Sequence, residues 1–170
     1  MAAMSIRALV LALVAFVGAA APASAQTWEA QALAMHNMER ASYRVAPLAW
    51  DLGLAAAADQ YAGELARSGR WGHSPRNSRP GQGENLWMGT SGAYRITDMV
   101  GGWAGERRLF RAGVFPAVSV SGNWSDVGHY TQMISSRTTR VGCAIRSGGG
   151  YDYLVCRYSP SGNVDGRVMP

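Results

Sequence analysis

Arg140-Val-Gly-Cys-Ala-Ile-Arg146 and Asp152-Tyr-Leu-Val-Cys-Arg-Tyr158 flank the run Ser147-Gly148-Gly149-Gly150. Both flanks are rich in β-branched and aromatic residues, and the glycines between them tolerate the positive φ that a tight hairpin turn demands. With Gly149-Gly150 as a two-residue turn, facing residues have numbers that sum to 299, which sets Cys143 opposite Cys156. Counting outward from the bonded pair at the turn, 143/156 is a non-hydrogen-bonded pair. Such pairs hold Cα atoms about 4.5–5.5 Å apart, within disulfide reach.

The segments before this hairpin read as helices. Trp28 to Ser42 contains neither Pro nor Gly and predicts a first helix. Asp51 caps a second, Leu52 to Arg67, closed by Ser68-Gly69, with Leu54, Ala58, Tyr61 and Leu65 on one stripe. Thr97 or Asp98 is expected to cap a third helix running to about Phe110. Its three glycines each cost up to about 1 kcal/mol against Ala, so tertiary packing must hold it. Asp126 is expected to cap a short fourth helix through Ile134. Between these, Trp71 to Gln82 reads as loop and Glu84 to Met88 as a short strand. The helices do not alternate regularly with strands, so the pattern predicts an α+β sandwich rather than a doubly wound sheet.

The 170 residues suffice for one domain, and 48% hydrophobic against 16% charged residues excludes a mainly disordered chain. All 16 basic residues are Arg, which suggests GC-rich codons and a bacterial source. The net charge is +5, but its densest cluster is only Arg107, Arg108 and Arg111. That scatter argues against a nucleic-acid partner. Met1 to Arg7 carries one positive charge, Ala8 to Ala21 is apolar, and Ala23-Ser24-Ala25 is an A-x-A cleavage site. Residues 1–25 are therefore expected to be a signal peptide and 26–170 the folded domain, secreted or periplasmic after cleavage between Ala25 and Gln26. The apolar run falls short of the about 20 residues that span a bilayer, so no transmembrane anchor is expected. Two cysteines in an exported chain are most simply bridged.

The candidate chemistry lies in His36, His73, His129, Glu84 and Glu106. Glu106 shares an apolar stripe with Met99, Trp103 and Phe110, where a buried carboxylate is costly unless paired or metal-bound. His73 follows the second helix, Glu84 follows Gly81-Gln82-Gly83, and His129 opens the fourth helix. Meeting in one cleft, two imidazoles and two carboxylates make a ligand set for a divalent metal such as zinc. No G-x-S-x-G elbow occurs, so an enzyme reading must rest on these four groups.

Several blocks carry a resemblance. They are His36-Asn37-Met-Glu-Arg40, Leu48-Ala-Trp50-Asp51, Gly72-His73-Ser74, Gly83-Glu84-Asn85-Leu86, Trp103-Ala-Gly-Glu106, Gly128-His129-Tyr130-Thr131-Gln132 with Val141-Gly142-Cys143, and Val155-Cys-Arg-Tyr-Ser-Pro-Ser-Gly-Asn163. In this order they resemble the CAP superfamily of cysteine-rich secretory proteins, antigen 5 and pathogenesis-related group 1 proteins, also called the SCP domain. The resemblance implies a three-layer α-β-α sandwich with a central, mainly antiparallel sheet. It implies a cleft tetrad of His73, Glu84, Glu106 and His129. The two His would hold zinc or another divalent cation, with Glu84 and Glu106 behind them. It makes Cys143–Cys156 a structural bridge and leaves His36 outside the tetrad, in a structural or rim role. One departure is Ser135, where the family commonly has Trp, so the packing beside the fourth helix is expected to differ.

The function this implies is a secreted protein that binds a lipid, a sterol or a protein partner, leaning away from catalysis. Met35, Met38, Trp124, Tyr130 and Met133 are candidates to line its apolar groove, each with ordinary core packing as the alternative. One alternative is a metal-assisted hydrolase with Glu84 or Glu106 as general base. Another is an envelope-associated interaction protein acting through its basic surface.

Overall fold

In the computed structural model, which describes residues 26–170, strands β4 (Arg140–Gly148) and β5 (Tyr151–Ser159) pair antiparallel in the expected register. Gly149 and Gly150 turn the chain at φ 60° and 84°, values that L side chains rarely adopt. Cys143 and Cys156 face each other with Cα atoms 4.1 Å apart and are bridged. The expected signal peptide lies outside the described residues.

Two more strands complete the sheet. β1 (Ala49–Trp50) runs parallel to β4, and β2 (Gly83–Thr90) runs antiparallel to β5, giving the order β1-β4-β5-β2. A separate two-stranded ribbon joins β3 (Gly113–Val114) to β6 (Val168–Met169). Two-residue strands carry too little periodicity to be read from sequence.

Alternation along β4 and β5 divides the core. Val141, Cys143, Leu154, Cys156 and Tyr158 pack against α1 (Trp28–Ala41), α3 (Ile96–Ala104) and α4 (Gly128–Ile134). Ala144, Tyr153 and Val155 face the other way, with Leu86, onto Ala58, Ala62 and Leu65 of α2 (Leu52–Ser68). Three layers, α-β-α, result. Asp51 caps α2 through its Oδ1, 2.9 Å from the Leu54 amide, and Gly69 closes it at φ 66°. The helix lies directly on β4: a Cβ at Gly142 would overlap its backbone at Asp51–Ala55, and one at Gly148 would overlap Ala66.

Two helices depart from expectation. α3 is capped by Arg95, whose amide donates to Asp98 Oδ2 at 2.9 Å, so Asp98 serves from inside the first turn and Thr97 does not cap. It ends at Ala104 and tightens into a 3-10 turn over Gly105–Leu109. Glu106 therefore sits on this turn, beyond the helix whose stripe Met99 and Trp103 share. Before α4, Asn123 caps a 3-10 turn, Trp124–Val127. Asp126 caps nothing there; it accepts from Ser121 Oγ and Asn123 Nδ2.

Two buried polar residues tie α1 to the rest. The guanidinium of Arg40 makes no ion pair among the described residues. It donates instead to the carbonyls of Ala46, Met133, Ser135 and Thr138 at 2.7–2.9 Å. Burial lowers its pKa to about 10. Ser135 is buried and leaves no gap: Gly162 lies so close that a Cβ there would overlap Ser135 and Gln132. His36 is also wholly buried. Its Nδ1 donates to Ala32 O at 2.7 Å, and its Nε2 accepts from Tyr158 Oη at 2.8 Å. Asn85 Nδ2 donates to both Tyr158 Oη and His129 O, extending the network from α1 through β5 and β2 to α4.

Candidate functional site

His73 is placed by the loop after α2, which Tyr61 anchors by donating its hydroxyl to Gly72 O at 2.5 Å. Glu84 reaches it from β2. Its Oε1 accepts from His73 Nδ1 at 2.8 Å and from the Ser74 amide at 2.9 Å. Its Oε2 accepts from Ser74 Oγ at 2.8 Å and lies 3.0 Å from Arg157 Nε. Burial pushes the Glu84 carboxyl up, but the His73 and Ser74 hydrogen bonds and the Arg157 charge outweigh it and hold the pKa below the ordinary carboxylate value.

His129 is placed by the first turn of α4. Glu106 Oε1 accepts from its Nδ1 at 2.6 Å, and Oε2 accepts from the amides of His129 and Tyr130 at 3.0 Å each. Glu106 thus caps α4 from 23 residues upstream, while orienting the imidazole that the helix carries. Its burial is compensated by these three donors, which is why the fold accepts a carboxylate beside Trp103.

Both imidazoles line one cleft of about 940 Å³, with Glu84, Asn85, Arg76 and Arg79 on its polar wall and Phe115, Pro116, Trp124 and Val164 on its apolar one. Each carboxylate accepts at Nδ1, so each ring carries its proton there and presents an Nε2 lone pair. Neither Nε2 has a hydrogen-bond partner among the described residues. The His73 side chain is 52% exposed, whereas that of Glu84 is 0% exposed. The His129 and Glu106 side chains are 33% and 19% exposed, so each ring is more open than the carboxylate that holds it. No three His, Cys, Asp or Glu side chains converge as a ligand set among the described residues, so an ion here would have two protein nitrogens and otherwise water. Imidazole with outer carboxylate support suits zinc or copper better than oxygen-seeking calcium or magnesium.

The structure brings the four sequence-chosen residues together as two His–Glu pairs, and it leaves His36 in the core. The expected apolar groove does not form as read. Tyr130 and Met133 are fully buried core, Met38 is 60% exposed, and of the five only Trp124 lines the cleft. Sequence reasoning missed Arg157 and Ser74 as partners of Glu84, and Trp103 as the ring stacked on His129. Arg157 is the cross-strand neighbour of Glu84, so the charge pair is legible once β2 is known to pair with β5.

Residues 33–158 match the family described as CAP, cysteine-rich secretory protein family. The chain belongs to this family. Among CAP relatives it is 33% identical over 161 residues to pathogenesis-related protein 1B of Nicotiana tabacum, covering 94% of this chain and 90% of that one. It is 35% identical over 133 residues to a PR-1 type pathogenesis-related protein of Sambucus nigra, covering 78% and 75%. The fold is similar to the crystal structure of NaASP2 with Zn2+, at a TM-score of 0.67 and 26% identity over 81% of this chain and 82% of that one. It is also similar to the structure of BmVAL-1, at a TM-score of 0.67 and 24% identity. Among the described residues no helix is long and apolar enough to cross a membrane.

Proposed function

We propose that this CAP chain is an exported binding protein of bacterial origin. Its cleft holds one divalent cation, zinc first, on the Nε2 atoms of His73 and His129, and recognises a lipid, sterol or protein partner without catalysis. One observation carries the reading. Both Nδ1 atoms are held by carboxylates, both imidazoles line the same cleft, and neither Nε2 has a partner among the described residues. That is the outer-sphere arrangement that orients imidazole for a metal. The Zn2+ in the NaASP2 crystal structure supports it. A bound cation there would act as a Lewis acid toward a partner's oxygen or anionic group.

The hydrolase alternative needs a carboxylate free to take a proton from bound water. Three hydrogen-bond donors and the Arg157 charge surround Glu84, and three donors surround Glu106, so these carboxylates serve the histidines rather than a water. Export rests on the Ala23-Ser24-Ala25 site and on relatives in a secretory family.

Calorimetric titration of the mature protein with zinc chloride at pH 7.5 tests the site. Binding at one ion per chain, lost in the His73→Ala/His129→Ala double variant, is expected. Equal affinity in parent and double variant would place the ion elsewhere and reduce the four residues to a hydrogen-bonded cleft.

A further inference from the structure

Trp103 stands between two histidines with different roles. Its ring is edge-on to buried His36, 6.4 Å between centroids. It lies in an offset stack on cleft His129, 5.8 Å between centroids and 13° from parallel. The indole is itself immobilised: it is 3% exposed and donates Nε1–H to Leu86 O on β2 at 3.1 Å. Glu106 grips the same imidazole from its edge, at Nδ1. The indole at 103, in the last turn of α3, and the carboxylate at 106, in the 3-10 turn that follows, are three residues apart and reach one ring.

A hydrogen bond to Nδ1 sets the tautomer and one direction but leaves the ring free to swing about that bond. A flat partner removes this freedom. We infer that Trp103 is the positioning residue of His129, its stacked indole fixing the ring plane and hence the direction of the Nε2 lone pair into the cleft. His73 has no aromatic partner among the described residues and depends on Glu84 alone. The two imidazoles therefore differ, one rigid and one adaptable. The consequence for an ion rests on the metal-binding reading above; the positioning does not.

Nitrogen-edited NMR of the EDTA-treated mature protein at pH 8, above the ordinary imidazole pKa of about 6.5, measures the positioning without metal. In the parent, His129 should be the Nδ1–H tautomer, with carbon-bound ring protons displaced upfield of those of His73 by the indole ring current. In Trp103→Leu the displacement should vanish, while the Nδ1–H tautomer, which Glu106 sets, and His73 are unchanged. The zinc Kd should rise by about tenfold, the lower end of outer-sphere effects. Trp103→Phe keeps a face and should bind zinc within about threefold of the parent. Val100→Ala opens a cavity in the same helix and should leave Kd unchanged, separating positioning from lost packing. A parent His129 without the upfield displacement, or a folded Trp103→Leu with parental zinc Kd, overturns the inference. If Trp103→Leu fails to fold, the parent spectrum and the phenylalanine variant decide it. A parent that shows the displacement yet takes up no zinc refutes the metal reading and leaves the positioning standing.

Discussion

Acid should destabilise this protein through His36 before its carboxylates titrate. Burial holds the His36 pKa down at about 4 against 6.5, with the Ala32 carbonyl raising it and the Arg40 charge lowering it further. The folded value lies below the unfolded one, so the neutral ring's contribution is complete above pH 6.5 and is lost as pH falls toward 4. Between these limits the unfolded chain binds one more proton. Stability should then fall by up to about 1.4 kcal/mol per pH unit, about 3 kcal/mol in all. Glu84 and Asp152, whose carboxyls lie below their ordinary values of 4.5 and 3.8, add their own losses only lower down. The comparison variant is His36→Gln, whose amide can donate to Ala32 O and accept from Tyr158 without titrating. Urea unfolding of both proteins in EDTA at pH 7, 6 and 5 is the assay. Whatever the substitution costs at pH 7, the gap should close by about 2 kcal/mol at pH 5. Parallel loss of stability in the two proteins would refute the buried-neutral assignment.

Cys143→Ala should lower Tm by an amount equivalent to no more than about 3 kcal/mol while leaving zinc binding intact, because the hairpin already restrains the reduced chain; thiol labelling of the unreduced, denatured parent should find no free cysteine. Gly142→Val should destabilise by about 3 kcal/mol or more by driving α2 off β4, seen as a lower urea midpoint. Glu106→Gln should weaken zinc binding less than His129→Ala, since an acceptor oxygen remains at Nδ1, and should lower Tm by weakening the cap on α4. Zinc affinity should fall between pH 7.5 and 5.5 in calorimetry, because neutral imidazole is the ligand and its ordinary pKa is about 6.5.

Local chemistry made much of the fold legible. The β4–β5 register, the Cys143–Cys156 bridge and the caps of α2 follow from turn glycines, a two-residue period and an Asp ahead of an apolar stripe, all within a few residues of the backbone they govern. The four cleft residues were legible as a set only through their surrounding blocks, since His73 and Glu84 belong to a loop and a strand with no shared period. Tertiary structure alone decided what each one touches. Glu106 looked like a misplaced carboxylate on a helix stripe. It became the cap of α4 by accepting from amides 23 and 24 residues downstream, which only the packed layers bring within reach. Arg40 was legible only as the end of a motif block, and four carbonyls from the loop after α1 and the end of α4 keep it in the core. Such pairings satisfy donors and acceptors that only meet once the layers have packed. No periodicity encodes them, because the energy that selects them is the cost of leaving a buried polar group alone.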